Sequence, residues 1–150
     1  MAAPLVVPDA SVLLKWVLPP GEEPDTDKAR LLRGAIAEEK VQALVPSLWF
    51  YEVGNTVARR FPSHARAWLS AFVKFGLQEA PPSPLWLAKT LELTRCHDVS
   101  FYDAAYHAIA VLHDGQFVTA DARYVNRARG AGAIVLLGEW KPPGSRGVHK

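Results

Sequence analysis

Two kinds of apolar pattern alternate along the chain. Short runs at Leu5-Val6-Val7, Gln42-Ala43-Leu44-Val45, Gln116-Phe117-Val118-Thr119 and Ala133-Ile134-Val135-Leu136-Leu137 read as strands. Between them lie longer stretches in which apolar positions return every third or fourth residue, and these predict helices. They cover Ala10 to Trp16, Glu22 to Lys40, Pro46-Ser47 to about Arg60, His64 to about Phe75, Leu85 to Cys96, a stretch after Ser100, and Ala122 to Arg129. Gly76 to Pro84 reads as a Pro-rich connection too short to link two domains. Strands separated by helices predict an α/β fold, with a mainly parallel central sheet of about four to five strands and helices on both faces.

With 150 residues, 49% of them hydrophobic, the chain suffices for one domain with a sizeable core. That domain is expected over residues 1–140, with a loose tail over 141–150 rich in Pro, Gly and charge. A net charge of +2 is too mild to announce nucleic-acid binding, so any RNA-facing patch must be local. The lone Cys96 excludes an internal disulfide and a cysteine zinc site. No secretory leader pattern and no long apolar run is visible, so the expected location is the cytoplasm, away from membranes.

The segment from Val99 to Asp121 organises the candidate chemistry. Ser100 is a natural N-cap, and Phe101, Ala104, Ala105, Ala108, Ile109 and Leu112 recur at helical spacing. A helix this apolar around its circumference is expected to be buried. Asp103 sits in its first turn, where the helix dipole favours a negative charge. Asp121 follows the next strand, and in an open α/β sheet ligands gather outside the carboxyl ends of strands. Both acids are therefore expected to face one crevice.

Asp9 likewise follows a strand, although a helix cap is its plainest role. Pro8 cannot donate to a ladder, so the strand ends there or leaves that side unpaired. Glu52 falls inside the apolar arc of its helix, where a carboxylate is costly unless something cationic meets it. An arginine partner and a metal ion both satisfy that condition. Asn55, one turn on, is placed to hydrogen-bond in the same neighbourhood. Asp98 suits capping or solvent, and His107 a structural or rim-exposed position, since no second ligand stands beside it at metal spacing.

Four carboxylates meeting without a cation repel one another and take up protons. A hard divalent ion resolves this, and magnesium or manganese accepts such an oxygen set. The chemistry supported is attack by a metal-polarised water on a phosphodiester, with either one or two ions.

Four segments carry a resemblance. Val6-Val7-Pro8-Asp9-Ala10-Ser11-Val12-Leu13-Leu14-Lys15-Trp16, Tyr51-Glu52-Val53-Gly54-Asn55, Ser100-Phe101-Tyr102-Asp103-Ala104-Ala105-Tyr106 and Phe117-Val118-Thr119-Ala120-Asp121 resemble, in order, the motifs of PIN-domain ribonucleases of the VapC toxin type. The resemblance implies a three-layer PIN-like fold and a magnesium- or manganese-dependent endoribonuclease. It also implies a homodimer held inactive by a cognate VapB-type antitoxin. By position it makes Asp9, Glu52, Asp103 and Asp121 the acidic quartet, with Ser11 and Thr119 as supporting hydroxyls. Pro8 departs from the pattern.

Lys15, Arg59, Arg60, Arg123 and Arg127 are candidates to draw RNA phosphates past a negative site, although a helix end or an ordinary surface explains each better. The apolar helices carrying Trp16, Trp49, Trp68 and Phe72 suit a groove for an antitoxin segment. Two other roles fit a PIN fold: RNA processing without an antitoxin, and a catalytically silent binding module, against which the intact quartet argues. A receiver-type phosphoacceptor would carry paired acids after the first strand and a late lysine, and neither is present. An aspartate-nucleophile phosphatase would carry a second acid where Ser11 stands.

Overall fold

The computed structural model describes residues 3–144. Five strands form one parallel sheet: β1 (Leu5–Pro8), β2 (Gln42–Pro46), β3 (Gln78–Ala80), β4 (Gln116–Thr119) and β5 (Ile134–Leu136), in the order β3-β2-β1-β4-β5. Seven α-helices connect them: α1 (Ala10–Leu14), α2 (Thr26–Ala37), α3 (Trp49–Arg60), α4 (Ala65–Phe75), α5 (Pro84–His97), α6 (Phe101–Leu112) and α7 (Ala122–Ala128). From β1 the chain runs outward through β2 to β3, then returns across the sheet to β4 and β5. Right-handed crossovers in two opposite directions put α1–α4 on one face and α5–α7 on the other. The packing agrees: α1 meets α3 and α3 meets α4, while α5 meets α6 and α7.

Helices on both faces explain why the central strands have no polar side. Val6, Val7, Val45, Phe117 and Val118 are all buried. Helix α6 lies against β1, β2 and β4, and everything from Ala104 to Ala110 is buried, as its nearly all-round apolar pattern requires. The reversal of winding falls between β1 and β4, paired through Val7 and Phe117 and through Pro8 and Val118. That junction is where open α/β sheets place their ligands.

Several boundaries differ from the sequence pattern for local reasons. Helix α1 stops at Leu14 because the amides of Lys15 and Trp16 bond three residues back, tightening the last turn. The stretch from Glu22 becomes helical only at Thr26, since Pro24 disfavours helix at Glu23 and Asp25 turns left-handed at φ 63°. Pro46 closes β2 instead of opening a helix, and α3 begins at Trp49. The connection from Gly76 to Pro84 contains β3, an edge strand pairing Leu44 with Gln78 and Pro46 with Ala80. Residues 145–150 of the expected loose tail lie outside the described residues. Among the described residues no helix is long and apolar enough to cross a membrane.

Candidate active site

Asp9 is the first residue beyond β1. The N–H that Pro8 lacks would face β2, where the pairing ends at Val6 and Ala43, while the Asp9 amide faces β4 and donates to Val118 O at 2.9 Å. The proline thus ends the strand while Asp9 stays fastened to β4. The residue occupies the N-cap position of α1, yet its carboxylate makes no capping bond. Oδ2 instead accepts the hydroxyls of Ser11 at 2.6 Å and Thr119 at 3.0 Å. The side chain is buried, and its carboxyl is pushed up to about 6. Burial is the main cause; the Ser11 bond opposes it, and the charge of Asp103 adds to it.

Thr119 closes β4 and relays between two acids, accepting the Asp121 amide at 3.1 Å while donating to Asp9. Asp121 caps α7, its Oδ1 accepting the amides of Arg123 at 3.0 Å and Tyr124 at 3.2 Å. Asp103 lies in the first turn of α6, where the Ser100 hydroxyl accepts its amide at 3.1 Å. Burial raises the Asp103 carboxyl; Ser100 opposes the rise and the charge of Asp121 adds to it. Asp103 and Asp121 line one cavity with Ser100, Tyr124, Arg123 and Arg127.

Glu52 stands in the first turn of α3, half-buried beside Trp49 and Val53. No arginine meets it among the described residues. Its Oε1 accepts the Tyr106 hydroxyl at 2.6 Å, and its carboxyl is pushed up to about 7. Burial dominates, the Tyr106 bond opposes, and the charges of Asp9 and Asp103 add. Tyr106 is the partner that sequence reasoning missed. The available signal was a phenol one turn beyond Asp103 on the buried face of α6, since a buried tyrosine hydroxyl needs a partner.

Other candidates separate. Asn55 is exposed, and its side chain makes no hydrogen bond among the described residues. His107 is fully buried, not at a rim, with Nδ1 2.8 Å from the Tyr124 hydroxyl and Nε2 2.7 Å from Gly132 O. Asp98 ends α5 in a left-handed conformation at the rim of the cavity that Asp103 and Asp121 line; its backbone O accepts Arg127 at 2.8 Å and its exposed carboxylate stands 3.8 Å from the same guanidinium. Lys15 is buried in an ion pair with Glu23 at 2.9 Å, and Arg60 stands 3.8 Å from the same carboxylate. Of the five basic candidates, Arg123 and Arg127 line the acidic cavity. The tryptophans do not form one patch either: Trp16 and Trp49 are buried on either side of buried Phe72, while Trp68 packs on Phe61 and His64.

Among the described residues no three His, Cys, Asp or Glu side chains stand close enough to enclose an ion unaided. The donor chemistry nonetheless fits a hard divalent ion. Asp9, Glu52 and Asp103 are all-oxygen donors, and their proton affinities rise from burial and from neighbouring acids: Asp103 for Asp9, Asp9 and Asp103 for Glu52, and Asp121 for Asp103. Magnesium needs only one or two carboxylates and keeps several of its waters.

A family model described as PIN domain matches residues 6–130. Among solved structures the chain is similar to PAE2754 from Pyrobaculum aerophilum, with TM-score 0.62, 22% identity and coverage of 92% of this chain and 93% of that one. It is similar to VapBC2 from Rickettsia felis, bound to a DNA fragment from its promoter, with TM-score 0.67, 12% identity and coverage of 91% and 99%. It is also similar to VapC20 from Mycobacterium tuberculosis, described as a Sarcin-Ricin loop cleaving toxin, with TM-score 0.60, 14% identity and coverage of 81% and 93%. At these identities the likeness is one of fold. No curated protein matches the chain.

Proposed function

The chain belongs to the PIN domain family, and from that premise we propose that it is a divalent-metal-dependent endoribonuclease acting as the toxin of a toxin–antitoxin pair. One observation carries this reading: buried or half-buried Asp9, Glu52 and Asp103 repel one another at the switch point of a parallel sheet. A fold keeps such a cluster only against a cost, which a bound cation removes.

Asp9, Glu52, Asp103 and Asp121 would hold magnesium or manganese. When bound, the ion supplies an activated water and stabilises charge on a phosphodiester. Ser11 and Thr119 hold the Asp9 carboxylate in one orientation from opposite sides of the sequence. The Ser100 cap fixes the first turn of α6 and with it Asp103. Arg123 and Arg127, lining the same cavity, offset the negative potential that an approaching RNA backbone meets.

The antitoxin part draws on VapBC2 and on FitAB, a further structure similar in fold. A docking groove built on Trp16, Trp49 and Phe72 does not fit, because these rings are buried. The accessible apolar side chains nearby are Tyr51, 77% exposed, and Val73, 65% exposed, which border a hollow with Phe50 and Leu77. An apolar antitoxin segment would dock there. A homodimer would bury Leu87 and Leu91, one turn apart on α5 and exposed in the single chain. The setting would be the cytoplasm, where RNA targets and a reduced Cys96 are compatible.

The test is cleavage of a mixed, end-labelled RNA pool by partner-free protein with manganese, with chelator, and by Asp103→Asn. Cleavage that requires both the ion and Asp103 supports the reading. An intact pool under every condition turns it toward a silent binding module.

A further inference from the structure

Helix α6 delivers two side chains toward the acids from neighbouring positions on one face, Asp103 and, one turn later, Tyr106. The Tyr106 ring is fully buried and stacks on Phe117 with centroids 6.0 Å apart and planes 23° from parallel. Its hydroxyl donates to Glu52 Oε1 at 2.6 Å. This is the one side-chain hydrogen bond that Glu52 makes among the described residues.

Glu52 is otherwise poorly restrained. Its helix, α3, lies on the opposite face of the sheet from α6, and its flexible side chain faces the charges of Asp9 and Asp103. Repulsion from those charges and the pull of water both favour swinging outward. A rigid, packed phenol is the element that opposes this.

We propose that Tyr106 is a positioning residue: its hydroxyl holds Glu52 by Oε1 over the strand ends, leaving Oε2 to face a divalent cation. The proposal rests on the metal-nuclease reading of the four acids. A phenol suits the task better than an arginine would. It supplies one directed hydrogen bond without a positive charge, so it fixes the carboxylate and does not compete with the cation for it. Burial and the bond to Glu52 push the hydroxyl far above its ordinary range, which keeps it a donor at any working pH.

The test is calorimetric titration of the full chain with manganese, comparing wild type, Tyr106→Phe, Glu52→Asp and Glu52→Gln, with circular dichroism to verify folding. Tyr106→Phe keeps the ring and its stacking on Phe117 and removes the hydroxyl. Its manganese Kd is expected to rise by roughly 10- to 100-fold, the usual effect of losing a group that orients a metal ligand. RNA cleavage at saturating manganese should recover most of the wild-type rate, so that the defect lies in the metal requirement. Glu52→Asp, one methylene short of the hydroxyl, should show the same weakened titration and serves if the phenylalanine variant does not fold. In a Glu52→Gln background the tyrosine substitution should add nothing further. Wild-type affinity in folded Tyr106→Phe would overturn the proposal and leave a structural hydrogen bond, whatever Glu52→Asp shows. Failure of wild type to bind manganese at all would instead overturn the metal reading beneath it.

Discussion

Thr119 donates its hydroxyl to Asp9 Oδ2 at 3.0 Å, tying the last residue of β4 to the first residue beyond β1. The same oxygen accepts the Asp121 amide, so one buried hydroxyl serves both acids. Thr119→Val keeps the shape and deletes both bonds, leaving the Asp121 amide and one side of the Asp9 carboxylate without their partner. The expected loss is about 1–3 kcal/mol of stability, read as a lower urea midpoint. Thr119→Ser should recover most of it. A valine variant as stable as wild type would show that water replaces the hydroxyl fully.

The acid cluster fixes the sign of a pH dependence. The folded-state carboxyls of Asp9, about 6, and Glu52, about 7, are raised, as is that of Asp103. Between the ordinary carboxylate range and neutrality the native state therefore binds more protons than the unfolded chain, and stability falls as pH rises. For buried Asp9, a rise from 3.8 to about 6 corresponds to about 3 kcal/mol; half-buried Glu52 contributes less than its rise suggests because water screens it. Burial lowers the pKa of His107, which has the opposite sign and removes stability as pH falls, but it is one group against three. With chelator present, the urea midpoint should be lower at about pH 7.5 than at about pH 5.5, and Asp9→Asn should flatten the slope. A midpoint that climbs over that interval would contradict the cluster's electrostatics.

The parts of this site legible in the sequence are those set by local signals. A strand end places Asp9 and Asp121, and the Ser100 cap places Asp103 in a first helical turn. Asp121 also advertises its capping bonds to the two amides that follow. Partnerships across the fold were not legible: Glu52 and Tyr106 lie 54 residues apart, and either an arginine or a metal explained a carboxylate in an apolar arc equally well. Strand β3 escaped because Gln78 and Glu79 are exposed and carry no alternating pattern; the strand shows itself by pairing with β2 and by the Glu79 carboxylate that accepts Trp49 Nε1 at 2.8 Å. Exposure of α4 depends on what its neighbours cover, since an apolar composition alone fits a core and a partner surface alike.

Asp121 caps α7, and its proposed second role, helping to hold the ion, can be separated from the first by substitution. Asp121→Asn keeps an oxygen for the amides of Arg123 and Tyr124 and removes the charge, whereas Asp121→Ala removes both. Alanine should cost about 0.5–2 kcal/mol as a lost helix cap, and asparagine far less. If the charge helps hold the ion, both variants should lose RNA cleavage by on the order of tenfold or more, out of proportion to their stabilities. Full cleavage by Asp121→Asn would reduce this acid to a cap.

His107 is a structural residue of the core, bonded to Tyr124 and Gly132 and not to the acids. Its Nε2 faces the Gly132 carbonyl at 2.7 Å and must carry the proton, so neutral Nδ1 accepts the Tyr124 hydroxyl at 2.8 Å. The lowered pKa, caused mainly by burial, keeps the ring neutral and this arrangement intact. His107→Leu fills similar space and strands the Tyr124 hydroxyl in the core, at an expected cost of about 1–3 kcal/mol. For a chain of 150 residues that is a fall of about 2–4 °C in Tm for each kcal/mol. Manganese affinity of the folded variant should equal that of wild type, because neither ring nitrogen is free to bind an ion. A weakened manganese titration without a fall in Tm would instead make His107 part of the metal site.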